Sequence, residues 1–297
     1  MILRREISGL HQYDRESGLH VLLDEVKIPA DEAAKRGPRH LSVMLTRRCN
    51  LNCPFCYVDK SDRAAPLGFL MDVCNAATEL QVLDVTLGGG EPTLYEAFPE
   101  FISYAWQNHT FGVSVTTNAV DISPLLEVAG MLSSVRVSTD ERIRPLGGRL
   151  RGQIARLSEV HKVGANVLWS HGSSSWVRET IGDLASLGTR DFLLIPEHDH
   201  GRYLLSESDW QDLDDFVCNH SQDYQIMLTS DASARISMPI LNTERDNEFL
   251  FAHIDESGNI RRRSWGPCVG RTTGVRQIVH GLQKLNPLRR DRHEDLV

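Results

Sequence analysis

The stretch QVLDVTLGGGEPTLYEAFPEFISYAWQNHTFGVSVTTN, residues 81–118, decides the fold class. It opens on a short run rich in β-branched and apolar residues (81–88). A glycine-rich turn follows, then an amphipathic segment (98–108) and a second apolar β-branched run (112–117). Short apolar runs alternating with longer segments of helical period are the pattern of parallel β/α units. Working outward, the same alternation recurs. Strands are expected at 41–46, 134–139, 164–170 and 191–196, with helices near 67–80, 122–130, 150–161, 176–187 and 207–219. A further run at 224–230 is expected to be a strand or a peripheral segment. Six units emerge. Periodicity alone fits both an open doubly wound sheet and an incomplete β/α barrel. In either, the loops leaving the carboxyl ends of the strands form the active face.

The flanks differ from this repeat. HQYDRESGLHVLLDEV (11–26) reads as a hairpin turning at Ser17 and Gly18, and PADEAAKRGPRH (29–40) as a helical turn ending at Gly37 and Pro38. Residues 1–40 are therefore expected to be an extension packed on the core. The core itself is placed at 41–230, and 231–297 is expected to be a C-terminal extension that closes the barrel. Within it, FAHIDESGNIRRRSWGPCVG (251–270) predicts two short strands turning at Ser257 and Gly258. The terminal LNPLRRDRHEDLV (285–297) is polar and is expected to fray.

The chain has 297 residues, 41% hydrophobic and 24% charged, which excludes a disordered chain, a collagen-like chain and a bare coiled coil. A formal charge of −8 argues against a broad nucleic-acid surface. No apolar run reaches the length of a membrane span, and MILRREISGLHQYDRESG lacks the apolar centre of a signal peptide, so a cytoplasmic location is expected. Six cysteines are too few for a disulfide scaffold, yet three of them crowd into eight residues.

Those three, Cys49, Cys53 and Cys56, stand in RRCNLNCPFCYVDK with the spacing C-x3-C-x2-C. Thiolates are soft ligands for iron–sulfur clusters and zinc. Three of them can hold three irons of a cubane and leave the fourth iron open to a cofactor or substrate. Structural zinc usually takes four protein ligands, and no second Cys or His pair lies nearby. Cys74 is expected to be a buried, inert thiol in the following helix.

This run resembles the signature of radical S-adenosylmethionine (radical SAM) enzymes, with an aromatic residue before the third cysteine (Phe55) and another after it (Tyr57). The resemblance extends in order through Gly88-Gly89-Gly90-Glu91-Pro92, Thr117-Asn118, and Ser138 with Asp140, and covers residues 41 to about 200. It implies an incomplete parallel (β/α)6 TIM-like barrel. It also implies a [4Fe–4S] cluster, bound by Cys49, Cys53 and Cys56, whose open iron binds S-adenosylmethionine. One-electron reduction then cleaves a carbon–sulfur bond, and the resulting 5′-deoxyadenosyl radical abstracts hydrogen from a substrate. By the same resemblance Gly89 and Gly90 receive the methionine ammonium, Glu91 contributes to that edge, Asn118 and Ser138 face the ribose or carboxylate, and Tyr57 lies near the adenine. Each has a plainer alternative: Glu91 as a charge at a helix start, Asn118 as a helix cap, Ser138 as a strand end and Tyr57 as a packed ring.

Substrate contacts are expected from the β/α loops. In RIRPLGGRLRG (142–152), Arg149 and Arg151 are chosen as anion-binding candidates against a solvated loop. Glu197, His198, Asp199 and His200 form the densest titratable cluster of the second half, with Glu197, His198 and His200 taken as substrate candidates, and His171 follows strand five. Trp169 is read as core. Arg261, Arg262 and Arg263 form a solvated basic face or a contact for an acidic partner. A lone Cys268 does not complete a second cluster. A single-cluster enzyme is expected, with an external one-electron donor such as flavodoxin or ferredoxin. Its substrate is expected to be small or medium-sized, in cofactor or natural-product biosynthesis. A peptide substrate stays open, as does a non-catalytic zinc- or cluster-binding interaction protein.

Overall fold

The computed structural model describes residues 1–237 and 249–292. Three short strands open the chain: β1 (Ile2–Arg5), β2 (Leu10–Tyr13) and β3 (His20–Leu23), an antiparallel sheet of their own. A one-turn helix α1 (Ala30–Ala33) leads into the repeat. Six β/α units follow: β4 (His40–Thr46) with α2 (Leu67–Glu79), β5 (Asp84–Gly89) with α3 (Phe98–Asn108), and β6 (Gly112–Thr117) with α4 (Ser123–Glu127). They continue with β7 (Ser134–Thr139) and α5 (Gly148–Ser158), β8 (Val163–Trp169) and α6 (Ser174–Ser186), and β9 (Asp191–Pro196). A two-residue-turn hairpin, β10 (His198–Asp199) and β11 (Arg202–Tyr203), precedes α7 (Glu207–His220), β12 (Gln225–Leu228) and the short α8 (Ser230–Ser233). From residue 249 onward come β13 (Phe251–Ile254), β14 (Asn259–Arg261), β15 (Gly270–Arg271) and α9 (Val275–Lys284).

The large sheet runs β12-β9-β8-β7-β6-β5-β4-β13-β14-β15. Every pairing from β12 to β13 is parallel, and β14 and β15 add antiparallel. The six units thus form an incomplete β/α barrel, extended by one parallel strand on each side. The run at 224–230 is the outer strand β12. The C-terminal β13 is a parallel neighbour of β4, a pairing that local periodicity does not reveal.

One face of each strand explains the core. Leu41, Val43 and Leu45 of β4, Val85 and Leu87 of β5, Val113 and Val115 of β6, and Val135 and Val137 of β7 are buried with the apolar faces of the helices. Phe98 and Phe101 of α3 are completely covered there, and truncating either to alanine should cost roughly 3–5 kcal/mol. Trp169 is buried beside Phe216, as expected of core. Cys74 is buried within α2, and burial pushes its thiol up to about 12, so it is inert at neutral pH. The helices start where sequence permits. Pro99 stands in the first turn of α3, and Ser206 with Asp209 forms a reciprocal capping box on α7.

The opposite strand face is polar. Asp84 on β5 accepts hydrogen bonds from Ser114 on β6 (2.9 Å), Thr86 (2.9 Å) and Tyr13 on β2 (3.1 Å). Arg136 on β7 pairs with Asp191 on β9 (2.8 Å) and donates to Asn166 on β8 (2.8 Å). Tyr13 thereby ties the N-terminal sheet to the amino end of the barrel. A second tie is ionic. Arg4, fully buried, bonds Glu6 and the carbonyls of Gly37, Pro38 and Gln81, while Arg39 meets the other oxygen of Glu6. At the other end of the chain, α9 continues into a 3-10 turn at Pro287–Arg292, and Asn286 caps the carbonyls of Ala33 and Arg36. The polar terminal stretch is therefore structured as far as this turn; residues 293–297 of it lie outside the described residues. Among the described residues no helix is long and apolar enough to cross a membrane.

Burial raises the Asp84 carboxyl from its ordinary 3.8 to about 6, against the pull of its three hydroxyl donors. The folded state therefore holds this proton more tightly than the unfolded chain. Its favourable contribution is complete below the unfolded value and is lost as pH rises through about 6. Asp84→Asn should remove that decline. The stability difference between variant and wild type, from urea unfolding, should shift in favour of the variant by roughly 2 kcal/mol between pH of about 4 and 7. A pH-independent difference would contradict this reading.

Candidate functional site

The three clustered cysteines lie on the loop leaving β4, residues 47–63. This loop has almost no internal regular structure, so its neighbours must hold it. Its neck is closed by backbone bonds from Arg47 to Arg63 (2.8 Å) and from Ala65 to Leu45 (2.8 Å). Lys60 folds back onto the carbonyl of Leu51 and the side chain of Asn52. Arg47 binds Glu256 (2.8 Å) in the turn between β13 and β14, anchoring the neck to the C-terminal strands.

The exit of β5 presses directly on this loop. The Gly90 amide donates to the carbonyl of Thr46 (2.7 Å), and the Glu91 amide to that of Arg48 (2.7 Å). A Cβ on Gly90 would sit 2.1 Å from the Arg48 carbonyl oxygen, and one on Gly89 2.3 Å from that of Thr46. Gly89 also has a φ of 144°, which side chains avoid. These two glycines are thus required by backbone contact with the cysteine loop. Their expected role beside a methionine ammonium is a separate matter of exposed edge. A Cβ on Gly88, by contrast, would meet nothing within 4 Å, so the end of β5 borders open space.

Glu91 does not face that space. Its side chain is buried and takes hydrogen bonds from Thr93, from the Thr117 hydroxyl (2.7 Å) and from the Asn118 amide (2.7 Å). Burial pushes its carboxyl upward, and the donors from Asn118, Thr117 and Thr93 work against that. Glu91 is a strut from the β5 exit to the β6 exit; the structure gives it no outward-facing oxygen for a ligand. Asn118 does not cap α4, whose N-cap is Ile122. Its side-chain oxygen accepts from the Val120 amide ahead of the helix, and its side-chain amide donates to Asn50 (2.7 Å) and approaches the Cys49 sulfur (3.9 Å). Ser138 lies half-buried on the polar face of β7, opposite Asn166. Tyr57 is exposed.

The three thiols are unpaired, with Cys56 exposed and Cys49 and Cys53 partly so. Burial pushes the Cys53 thiol up, opposed by Arg144 and Lys60. Coordination to iron would override this, because a metal-bound thiol loses its proton. Among the described residues no three His, Cys, Asp or Glu side chains converge closely enough to hold a single ion. In a cubane each cysteine needs to meet only its own iron. The donor set, three soft thiols on one loop beside open space at Gly88, fits a three-thiolate cluster with a cofactor next to it.

The loop after β7 completes the mouth. Asp140 accepts from the amides of Arg142 (3.0 Å) and Ile143 (2.7 Å), fixing a tight turn. Arg142 then reaches Glu197 beyond β9 (2.7 Å) and lies over the Phe55 ring, 5.1 Å from its centre. It spans from the cysteine loop to the far strand exit. The two arginines chosen from sequence sit elsewhere. Arg149 and Arg151 begin α5; Arg149 bonds the Val120 carbonyl and Arg151 pairs with Asp183 on α6. They belong to the helical layer because the helix starts at Gly148, before both. The titratable cluster also disperses. Glu197 is buried against Arg142, while the His198 ring packs against Trp265 and Tyr203. His200 is the exposed turn residue of the β10–β11 hairpin, at a φ of 45°. The Asp-His-Gly turn signal in the sequence accounts for it. His171 stays exposed at the β8 exit, bonded to Asp209 (2.7 Å). Arg142 was visible in the same arginine run, but its partner lies 55 residues away.

Gly90→Ala should force the β5 exit off the cysteine loop. The expected result is loss of most iron and sulfide after anaerobic reconstitution, with the far-ultraviolet circular dichroism of the barrel retained. Full cluster loading in this variant would show that the contact does not organise the loop.

Residues 43–140 match the family model for the radical SAM superfamily. The mycofactocin maturase MftC of Mycolicibacterium smegmatis is 33% identical over 124 residues, 39% of this chain and 31% of that protein. A probable GTP 3′,8-cyclase of Methanococcus maripaludis is 33% identical over 111 residues, 34% of this chain and 36% of that one. The chain thus matches about a third of the length of these relatives. In solved structures, Streptococcus suis SuiB bound to the precursor peptide SuiA superposes with a TM-score of 0.73 at 15% identity, over 98% of this chain and 89% of that one. Methylornithine synthase PylB superposes at 0.55 with 13% identity, over 90% and 88%. The cysteine loop, the glycine edge and the Asn118 corner all lie inside the segment that is similar to the radical SAM superfamily.

Proposed function

We propose that this protein is a radical SAM enzyme that removes a hydrogen atom from an organic substrate held over the barrel mouth. The observation that carries this is the set of three free thiols on the β4 loop, braced by Gly90 and Asn118 beside open space at the end of β5. When bound, a [4Fe–4S] cluster and S-adenosylmethionine supply one-electron reductive cleavage and hydrogen abstraction. Cys49, Cys53 and Cys56 would hold three irons. The exposed edge of Gly88 to Gly90 would receive the methionine end, and Ser138 with the Asn118 corner the ribose or carboxylate. Tyr57 would stand near the adenine. Glu91 positions Asn118 from behind. Arg142, between Phe55 and Glu197, would cover the mouth and keep water from a reactive intermediate. The electron would come from an external donor of the flavodoxin or ferredoxin kind.

The matched segment is shared by relatives of different kinds, a maturase and a probable cyclase. It therefore speaks to the cofactor chemistry and leaves the substrate to the rest of the chain. A small or medium substrate in cofactor or natural-product biosynthesis remains the main reading. A peptide substrate is supported by the SuiB complex with its precursor peptide, a structure that matches 98% of this chain.

Cys53→Ala tests the assignment. Wild-type protein, reconstituted anaerobically and given dithionite and S-adenosylmethionine, should form 5′-deoxyadenosine; the variant should form at least about a hundredfold less, the scale on which removal of an essential site group acts. Turnover retained in Cys53→Ala would contradict the ligand assignment. A wild-type protein that binds zinc and no sulfide would favour the non-catalytic reading.

A further inference from the structure

An open cleft of about 400 Å³ lies beside the β8 and β9 exits, lined by His171, Arg202, Tyr203, Leu204, Leu205 and Ser206. Its polar side is built on a buried carboxylate. Asp209, 5% exposed in its side chain, takes hydrogen bonds from the Ser206 hydroxyl (2.6 Å), the Ser206 amide (2.8 Å) and the Gly172 amide (2.8 Å). Its remaining contact is Nδ1 of His171 at 2.7 Å. Burial would raise this carboxyl, but the bonds from Ser206, Gly172 and His171 hold it well below the usual range. An ionised Asp209 requires a proton on Nδ1 of His171 and orients the ring. The other ring nitrogen, Nε2, is then free to accept a hydrogen bond from a ligand, on a side chain 73% exposed.

The second polar group is Arg202, which among the described residues pairs with Asp199 at 3.6 Å, with both side chains largely exposed. Such a pair is worth little in water, so exchanging it for a ligand carboxylate costs little. Below them lies an apolar floor. Leu204 is exposed, and Tyr203 is fixed edge-on against Trp210 at 5.0 Å with Arg235 over both rings. A cationic fork, an oriented imidazole nitrogen that accepts a hydrogen bond and an apolar floor match a peptide segment that carries a carboxylate, a backbone amide and an apolar side chain. They match a compact dianion poorly, since that would leave the floor unused.

We propose that this cleft is a substrate subsite for a peptide segment, with an acidic side chain on Arg202, a backbone amide donating to Nε2 of His171, and a neighbouring apolar side chain on Tyr203 and Leu204. As a substrate site it rests on the peptide reading above, but binding can be measured without turnover.

The test uses anaerobically reconstituted holoprotein carrying 13C-labelled histidine, with the His171 ring resonance assigned through His171→Gln. The probe is N-acetyl-Leu-Glu-amide, compared with N-acetyl-Leu-Gln-amide and inorganic phosphate. The Glu peptide should shift the His171 resonance saturably with a Kd of about 1 mM, as expected for so small a ligand. The Gln peptide, and the Glu peptide on Arg202→Gln, should bind at least about tenfold more weakly, the loss expected when a charge-assisted hydrogen bond is removed. No saturable shift, equal binding of the Gln peptide or of phosphate, or full affinity in a folded Arg202→Gln would overturn the subsite. The same samples are assayed for 5′-deoxyadenosine. Cofactor cleavage without peptide binding rejects only the subsite, and peptide binding without cleavage rejects only the enzymatic reading.

Discussion

The site depends on a backbone contact that admits no side chain: the β5 exit at Gly89 and Gly90 lying against the carbonyls of Thr46 and Arg48. The cysteine loop has no helix or strand of its own to set its path. Two short amide–carbonyl bonds from Gly90 and Glu91 fix its start, and Asn118 reaches it from the next strand exit. The buried Glu91 carboxylate locks that exit to β5 through Thr117 and the Asn118 amide. Three consecutive parallel strands thus deliver one rigid corner. Preorganisation of this kind places ligands without help from the ligand itself.

The rest of the molecule supports the corner from outside. The turn after β13 grips Arg47 through Glu256, so the C-terminal strands contribute to the site without lining it. At the amino end of the barrel, Tyr13 and the Arg4–Glu6–Arg39 cluster close the bottom and attach the first sheet. Such buried ion clusters are costly to break, because each partner leaves an uncompensated charge behind. Their value here is registry, fixing a small sheet that shares no backbone ladder with the barrel. Above the site, Arg142 links loops that are far apart in sequence, and beyond it the His171–Asp209 pair offers the surface an oriented imidazole edge.

Much of this was legible because residue type and chemistry coincide. Three cysteines in eight residues, followed by GGGEP and TTN on successive strand ends, name a soft-metal loop and the edge that holds it. The strand periods located β6, β7 and β9 to the residue, and β4 and β8 to within one. What local pattern could not supply was contact across long separations. β13 beside β4 joins residues more than 200 apart. Arg142 outranks Arg149 and Arg151 at the mouth only because α5 begins at Gly148 and turns the latter two outward. Glu197, His198 and His200 looked like one cluster, yet a two-residue turn sends them in three directions. Glu91 was read from its motif as facing a cofactor; burial among Thr93, Thr117 and Asn118 makes it a brace.

The central claim is that three thiolates hold a cubane whose fourth iron is free of protein. Mössbauer spectroscopy of protein reconstituted with 57Fe, with and without S-adenosylmethionine, tests it most directly. The account predicts one iron site that becomes distinct from the other three when S-adenosylmethionine is added. Iron sites that do not respond to it, or a preparation that carries zinc in place of iron and sulfide, would contradict the account.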